Sequence, residues 1–278
     1  MSGNGPTAQA PRRGPEPSLS PAASVCLALA MFAAAGAIAL GATWLMPAAF
    51  AGRGGALASA QPRSASSGPS WREVGVSVEG RPILAASFGS GKRRVLVIGG
   101  IHGSEFGADV AEAFAAWLAE NPTAVPAGTR VDVVACANPD GRAAGKKGNA
   151  HNVNLNGNFP SRNWKPQRYL TTTAGPRAGS EPETQALMRM LAQGYVRVIS
   201  LHSQGGFIDY DGPNASALAS RVASLSGLPV KKLGPASLYA GSLGTYVPQR
   251  FGIPVLTFEL SSRTMAPGVL AALLASVR

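Results

Sequence analysis

The sequence predicts an α/β sandwich built on a largely parallel or mixed sheet, and three observations carry that prediction. Short, β-branched, charge-free runs such as Val95-Leu96-Val97-Ile98 read as strands covered on both faces. Segments with apolar residues at helical spacing separate those runs, the pattern of strand–helix–strand units. Chemically capable side chains (His102, Asn138, His202 and Glu259) fall at or near the carboxyl ends of the runs, where open α/β sheets hold their ligands.

Taken in order, residues 1–21 are rich in Pro, Ser and Gly, with Arg12-Arg13 as their only cations, and read as a disordered tail. Residues 22–51 carry no charged side chain, a stretch long enough to cross a bilayer, for which roughly 20 residues suffice. Ala49-Phe50-Ala51 and Ala58-Ser59-Ala60 also resemble small-x-small cleavage sites, so the segment reads as a transmembrane anchor or as a signal peptide. Arg12-Arg13 ahead of it places the amino terminus in the cytoplasm. On either reading the domain that follows is exported. Residues 52–70, made of Gly, Ala, Ser, Gln, Pro and Arg, are a linker, and residues 71–278 are ample for one core.

Within that domain, alternating Val74, Val76 and Val78, a turn at Glu79-Gly80-Arg81-Pro82 and the run Ile83 to Ala86 predict a hairpin. Lys92 to Ile98 is the first buried strand. Phe106, Val110, Phe114, Trp117 and Leu118 recur at helical spacing until Asn121-Pro122 ends the helix. Arg130 to Ala137 is a second strand, closed by Asn138-Pro139-Asp140-Gly141, a turn sequence. Residues 142–179 lack periodicity, and a loop that long is usually functional. Ser180-Glu181-Pro182-Glu183 predicts a capping box opening a helix through Leu191. Val196 to Leu201 is the third strand, Ala215 to Leu225 a helix, Pro254 to Leu260 the last strand, and Gly268 to Val277 a closing helix.

Charge and cysteine content narrow the function. The net charge is +11 at pH 7, and residues 71–278 hold 21 Lys/Arg against 13 Asp/Glu. The cations are scattered rather than interleaved with aromatics, so the pattern offers no nucleic-acid footprint. A solvated basic surface explains them, with anionic envelope polymers or lipid head groups as the functional alternative. Of two cysteines, Cys26 lies in the apolar segment and Cys136 is alone in the domain, which therefore has no internal disulfide.

The chemistry concentrates in a few residues. The chain has three histidines, His102, His151 and His202. A lone histidine is more often a satisfied polar residue than a ligand, but two of these three follow buried strands. Glu105 stands three residues after His102. Two imidazoles and one carboxylate leave a fourth position open for water, the arrangement of a catalytic zinc, so His102, Glu105 and His202 are the expected ligands of one Zn2+. Glu259 sits in the apolar run Val255-Leu256-Thr257-Phe258-Glu259-Leu260, and burying an unpaired carboxylate is costly. An edge-strand glutamate facing solvent is the bland explanation; a general base for the attacking water is the functional one. His151 lies in the irregular loop, at the surface or facing substrate.

Six motifs occur in the order in which the zinc carboxypeptidase family carries them. They are His102-Gly103-Ser104-Glu105, Asn138-Pro139-Asp140-Gly141, Asn156-Gly157-Asn158-Phe159-Pro160, Ser180-Glu181-Pro182-Glu183-Thr184, Leu201-His202-Ser203 and Thr257-Phe258-Glu259-Leu260. Over residues 71–278 the chain resembles that family, and its short domain resembles the bacterial branch of murein peptide amidases and γ-glutamyl-diaminopimelate peptidases. The resemblance implies a three-layer α/β/α sandwich of the phosphorylase/hydrolase type, zinc on His102, Glu105 and His202, and Glu259 as base. It implies that Asn156 helps hold the substrate carboxylate, and that Tyr239, with Tyr246 as its rival, matches the mobile tyrosine of digestive members. Three positions depart from the family pattern. Lys147 stands where an arginine usually polarises the scissile carbonyl, Gly157 where an arginine clamps the terminal carboxylate, and Asn154 where an aspartate orients the first zinc histidine.

The expectation is a periplasm-facing metallopeptidase, membrane-tethered or secreted if its apolar segment is cut, that cleaves an amide near the end of a short peptide such as a cell-wall muropeptide. The alternatives are an N-acyl amino acid deacylase of the aspartoacylase-like kind, and a binding module that keeps zinc without turnover. Retention of Glu259 speaks against the last.

Overall fold

Strands β1 (Trp71–Val76), β2 (Pro82–Phe88), β3 (Arg93–Gly99), β4 (Thr129–Val134), β5 (Arg197–Ser203), β6 (Phe207–Asp211) and β7 (Val255–Leu260) form one mixed seven-stranded sheet in the order β1-β2-β4-β3-β5-β7-β6. The structure is a computed structural model that describes residues 68–203, 205–234 and 239–278. The predicted tail and apolar segment, and all but the end of the linker, lie outside the described residues. No helix among the described residues is long and apolar enough to cross a membrane.

Strands β4, β3, β5 and β7 run parallel, while β1 and β2 at one edge and β6 at the other are antiparallel to their neighbours. Helices α1 (Gly107–Glu120), α2 (Pro139–Ala144), α3 (Pro182–Leu191), α4 (Ala215–Ser226), α5 (Leu243–Phe251) and α6 (Pro267–Val277) connect them. Alternation along the central strand makes the three layers. Val95 and Val97 pack with Phe114 and Leu118 of α1, Val222 of α4 and Leu273 of α6. Leu96 and Ile98 pack on the other side with Leu187 and Met190 of α3 and Val247 of α5. A strand buried on both faces has no room for charge, which is why the run read as central.

The strand order places the site. From β3 the chain moves to β4 on one side, and later returns to β5 on the other, so the direction of winding reverses between β3 and β5. Ligands of open α/β sheets sit outside the carboxyl ends of the strands at such a point. The register pairs Gly99 with Leu201, and His202 with Glu259. His102, three residues past the end of β3, therefore meets His202 and Glu259 at one end of the sheet. Gly103 is confined at this turn, since an added Cβ would run into the Gly141–Arg142 peptide.

Three local expectations are corrected. Asn138-Pro139-Asp140-Gly141 opens α2 rather than closing as a turn: the Asn138 Oδ1 accepts from Gly141 N at 2.9 Å and Pro139 occupies the first helical position. The capping box at Ser180 does not form. Helix α3 starts at Pro182, and the wholly buried Glu183 instead accepts from Val78 N at 3.1 Å and Asn149 Nδ2 at 3.0 Å. Strand β6 and helix α5 add to the predicted elements. The aspartates of Phe207-Ile208-Asp209-Tyr210-Asp211 hid the first, and Pro248 inside the second read as a breaker.

Candidate metal centre and active site

Three donors converge at the carboxyl ends of β3 and β5. His102 Nδ1 lies 2.7 Å from Glu105 Oε1, His202 Nδ1 lies 3.0 Å from Glu105 Oε2, and the two Nδ1 atoms are 3.3 Å apart. The opposite nitrogen of His102, Nε2, is 2.9 Å from Asn154 Oδ1, an acceptor, so that nitrogen carries the proton. In the neutral ring, Nδ1 then turns its lone pair toward His202 and the carboxylate. Electron pairs aimed at one point repel unless a cation lies among them, and two imidazoles with a carboxylate form a set that suits zinc and leaves a position open. The residues fit that ion.

Electrostatics agree. Burial lowers the His102 pKa below its ordinary value, with His202 and Lys147 adding to the effect against the pull of Glu105, so the ring is neutral as ligation requires. Burial acts to raise Glu105, but the closeness of the two imidazole rings outweighs it and holds the carboxyl far below the usual range. Ser203 N donates to Glu105 Oε2 at 3.2 Å and fixes the same carboxylate from the backbone.

Glu259 opens into a cavity of about 430 Å³ that also receives His102, Glu105, His202, Lys147, Asn156 and Tyr239. Val255 faces α3 and α5, so the alternation of β7 turns Thr257 and Glu259 to that side, with His202 of β5 beside them. The Glu259 carboxylate has no hydrogen-bond partner among the described residues, and burial pushes its pKa above the carboxylate range. Lys147 acts electrostatically on both His102 and Glu259. Its backbone oxygen is clamped by Gly103 N at 3.3 Å and Asn138 Nδ2 at 3.3 Å. Asn154 Oδ1 also accepts from Asn156 N at 3.0 Å, and Asn156 Oδ1 accepts from Leu243 N at 2.8 Å. Asn156 thus turns its amide N–H groups elsewhere.

Not every candidate reaches the cavity. Tyr246 is 5% exposed and stacks on Phe159 with ring centroids 5.5 Å apart, a core position, whereas Tyr239 is 46% exposed on the cavity wall. His151 faces away, 2.8 Å from Glu181 Oε2. The sequence reading missed another wall, formed by Asp209, Asp211 and Lys232, whose ammonium donates to both carboxylates at 3.2 and 2.8 Å. Its signal was the alternation of two aspartates in an otherwise apolar and aromatic run. Tyr169 lines the cavity as well.

The family profile for zinc carboxypeptidases (Peptidase_M14) matches residues 64–230. The chain belongs to the zinc carboxypeptidase family. This family of zinc-dependent hydrolases includes curated relatives called murein peptide amidase A. The protein of Escherichia coli (strain K12) is 36% identical over 140 residues, which cover 44% of this chain and 54% of that protein. The chain thus spans about half the length of that relative. The protein of Vibrio campbellii is 31% identical over 202 residues, covering 67% of this chain and 77% of that one. Among solved structures, the murein-tripeptide amidase MpaA from Escherichia coli O157 superposes with a TM-score of 0.63 at 26% identity, over 78% of this chain and 96% of that one. This member of the zinc carboxypeptidase family therefore carries the family's sheet, with His102, Glu105 and His202 grouped where a zinc ion can sit.

Proposed function

We propose that this zinc carboxypeptidase is an amidase of short cell-wall peptides, with His102, Glu105 and His202 holding one zinc ion and Glu259 serving as its general base. The grouping of that donor set in one cavity with a carboxylate that has no hydrogen-bond partner among the described residues carries the reading. Zinc bound there supplies the positive charge that acidifies a water and polarises the scissile carbonyl. Glu259 takes the proton from the attacking water and passes it to the leaving amine. Lys147 offers an ammonium to the negative charge that develops on the carbonyl oxygen, as a point charge without arginine's planar fork. Asn156 offers its amide N–H groups to the substrate, and Tyr239 closes on it from the rim. The names of the relatives support a muropeptide. The charged wall of Asp209, Asp211 and Lys232 also favours a polar peptide over the apolar chain of an N-acyl amino acid, because an apolar chain there would desolvate three charges without replacing their partners.

We further infer that residues 71–278 are the catalytic domain and that residues 22–51, as anchor or signal, bring it to the periplasmic side of a bacterial envelope. Fractionation of cells expressing the full chain tests this, and recovery in the cytosol overturns it. For the activity, the purified full chain is incubated with a cell-wall digest, with and without chelator, and the products are read by mass spectrometry. Chelator-sensitive release of an amine-bearing fragment is expected. Release of acyl groups from N-acyl amino acids with muropeptides untouched would favour the deacylase, and bound zinc with no turnover of either would leave the binding module.

The Asn154 departure yields a prediction. An aspartate at 154 would add a negative charge at the proton of His102 Nε2 and raise the basicity of Nδ1. Asn154→Asp is expected to tighten zinc binding about tenfold, measured by competition with a chromophoric chelator. Unchanged or weaker binding would mean that Asn154 does not set the basicity of His102.

A further inference from the structure

Gly157 has no side chain to offer a substrate, and its place is filled. A Cβ added there would collide with the Tyr169 hydroxyl and lie 3.0 Å from its Cζ. We propose that Tyr169 is the positioning residue that occupies this place and donates a hydrogen bond to the terminal carboxylate of the bound peptide, so that it sets specificity for free-acid over capped substrates.

The phenol is held ready for that task. Tyr169 sits in a tight hairpin closed by Tyr169 N to Thr172 O at 2.8 Å and Ala174 N to Gln167 O at 2.9 Å. Thr173 of the same hairpin docks on the strip beside the metal centre: Asn154 N donates to Thr173 O at 2.8 Å, and Thr173 N to Asn152 O at 3.1 Å. The segment whose Asn154 orients His102 therefore also fixes the hairpin that carries Tyr169. Burial raises the Tyr169 pKa, so its proton stays on at neutral pH, and a hydrogen bond from Gln167 pulls the pKa partly back.

Beside it stands Asn156, whose carbonyl oxygen is already committed to Leu243 N and whose N–H groups make no hydrogen bond among the described residues. Two neutral donors, Tyr169 O–H and Asn156 N–H, thus flank Gly157 in the same cavity as Lys147. A carboxylate accepts from both, whereas a carboxamide would set its own N–H groups against one of them. A neutral donor to an ionised acceptor is stronger than a neutral pair but weaker than an arginine clamp. The discrimination should therefore be moderate.

This inference rests on the amidase reading for its substrate, and its test separates the two. The full-length, zinc-loaded wild type and Tyr169→Phe are compared on a synthetic muropeptide tripeptide with a free terminal carboxylate and on its terminal carboxamide. Steady-state kinetics are run alongside calorimetric binding to each protein in a Glu259→Gln background. Tyr169→Phe is expected to raise KM and weaken binding of the acid about tenfold, to leave kcat within about twofold, and to leave the carboxamide unaffected. Gly157→Ala, which forces the phenol aside, should reproduce the loss if the variant folds; Tyr169→Phe alone decides the matter if it does not. Equal losses for acid and carboxamide, no loss for the acid, or no binding of the acid by the wild type would each overturn the proposal. Binding that discriminates as predicted without any turnover would uphold Tyr169 and overturn the amidase.

Discussion

Glu259→Gln lowers kcat by about 10²–10⁴-fold, the range that a positioned general base contributes, while zinc content and KM stay near wild type. Glutamine keeps the size of the side chain and its place on β7, beside His202 in the register. It is not one of the three grouped donors, so the metal is not expected to leave with it. What is lost is the ability to accept a proton. Among the described residues the carboxylate makes no side-chain hydrogen bond that the amide would break, and the fold should be indifferent to the change. Because a base works only when deprotonated, activity falls as pH drops through the Glu259 pKa. Burial moves that midpoint up from the ordinary carboxylate value, and a dication in the adjacent site draws it down, so the acid limb reports their balance. Stopped assays on metal-replete protein, with zinc quantified in parallel, measure the effect. A glutamine variant within tenfold of wild-type kcat would remove Glu259 from the chemistry.

Much of this site was legible because its logic is local or set by alternation. Strand β3 was visible as a charge-free run, and His102 and Glu105 follow it within one turn. Glu259 stood out as the one charge in an apolar strand, and period-two alternation then fixed its face. The meeting of His102 with His202 could be inferred from their positions at strand ends, but the pairing of Gly99 with Leu201 that brings them together is a long-range register. Where the sequence misled, a residue had two local uses and a distant partner chose between them. Glu183 could cap a helix, yet Asn149 and Val78 claimed its carboxylate. Asn138-Pro139 could make a turn or begin a helix, and the bonds of Asn138 to Ile101 O and Lys147 O favour the geometry of the cap. The wall of Asp209, Asp211 and Lys232 was out of reach, because Lys232 lies more than twenty residues from its acidic partners and no periodicity links them. Tyr169 was hidden for the opposite reason. The vacancy at Gly157 was evident in the sequence, but only the docking of the hairpin on Asn152 and Asn154 shows which side chain fills it.

His202→Ala abolishes zinc binding at micromolar metal and takes turnover to background. With His202 gone, one imidazole and one carboxylate remain of a three-donor set, too few to hold a catalytic ion against water. The polypeptide has reason to survive the change. His202 is nearly buried at the end of β5, but Glu105 Oε1 keeps His102 Nδ1 at 2.7 Å, and Oε2 keeps Ser203 N at 3.2 Å. The removed ring leaves a hole that opens toward the cavity rather than into either hydrophobic core, so water can fill it. Loss of metal can therefore be separated from loss of fold by thermal melting with and without zinc. A ligand that binds only the native state stabilises it by about 2.7 kcal/mol at a concentration 100-fold above its Kd. Wild-type protein should gain that stabilisation on zinc addition and lose it to chelator, whereas His202→Ala should melt at one temperature in all three conditions. A variant that still binds one zinc per chain and still melts higher with it would place the ion elsewhere. The Nδ1 atoms of His102 and His202, 3.3 Å apart, would then need another reason to face each other.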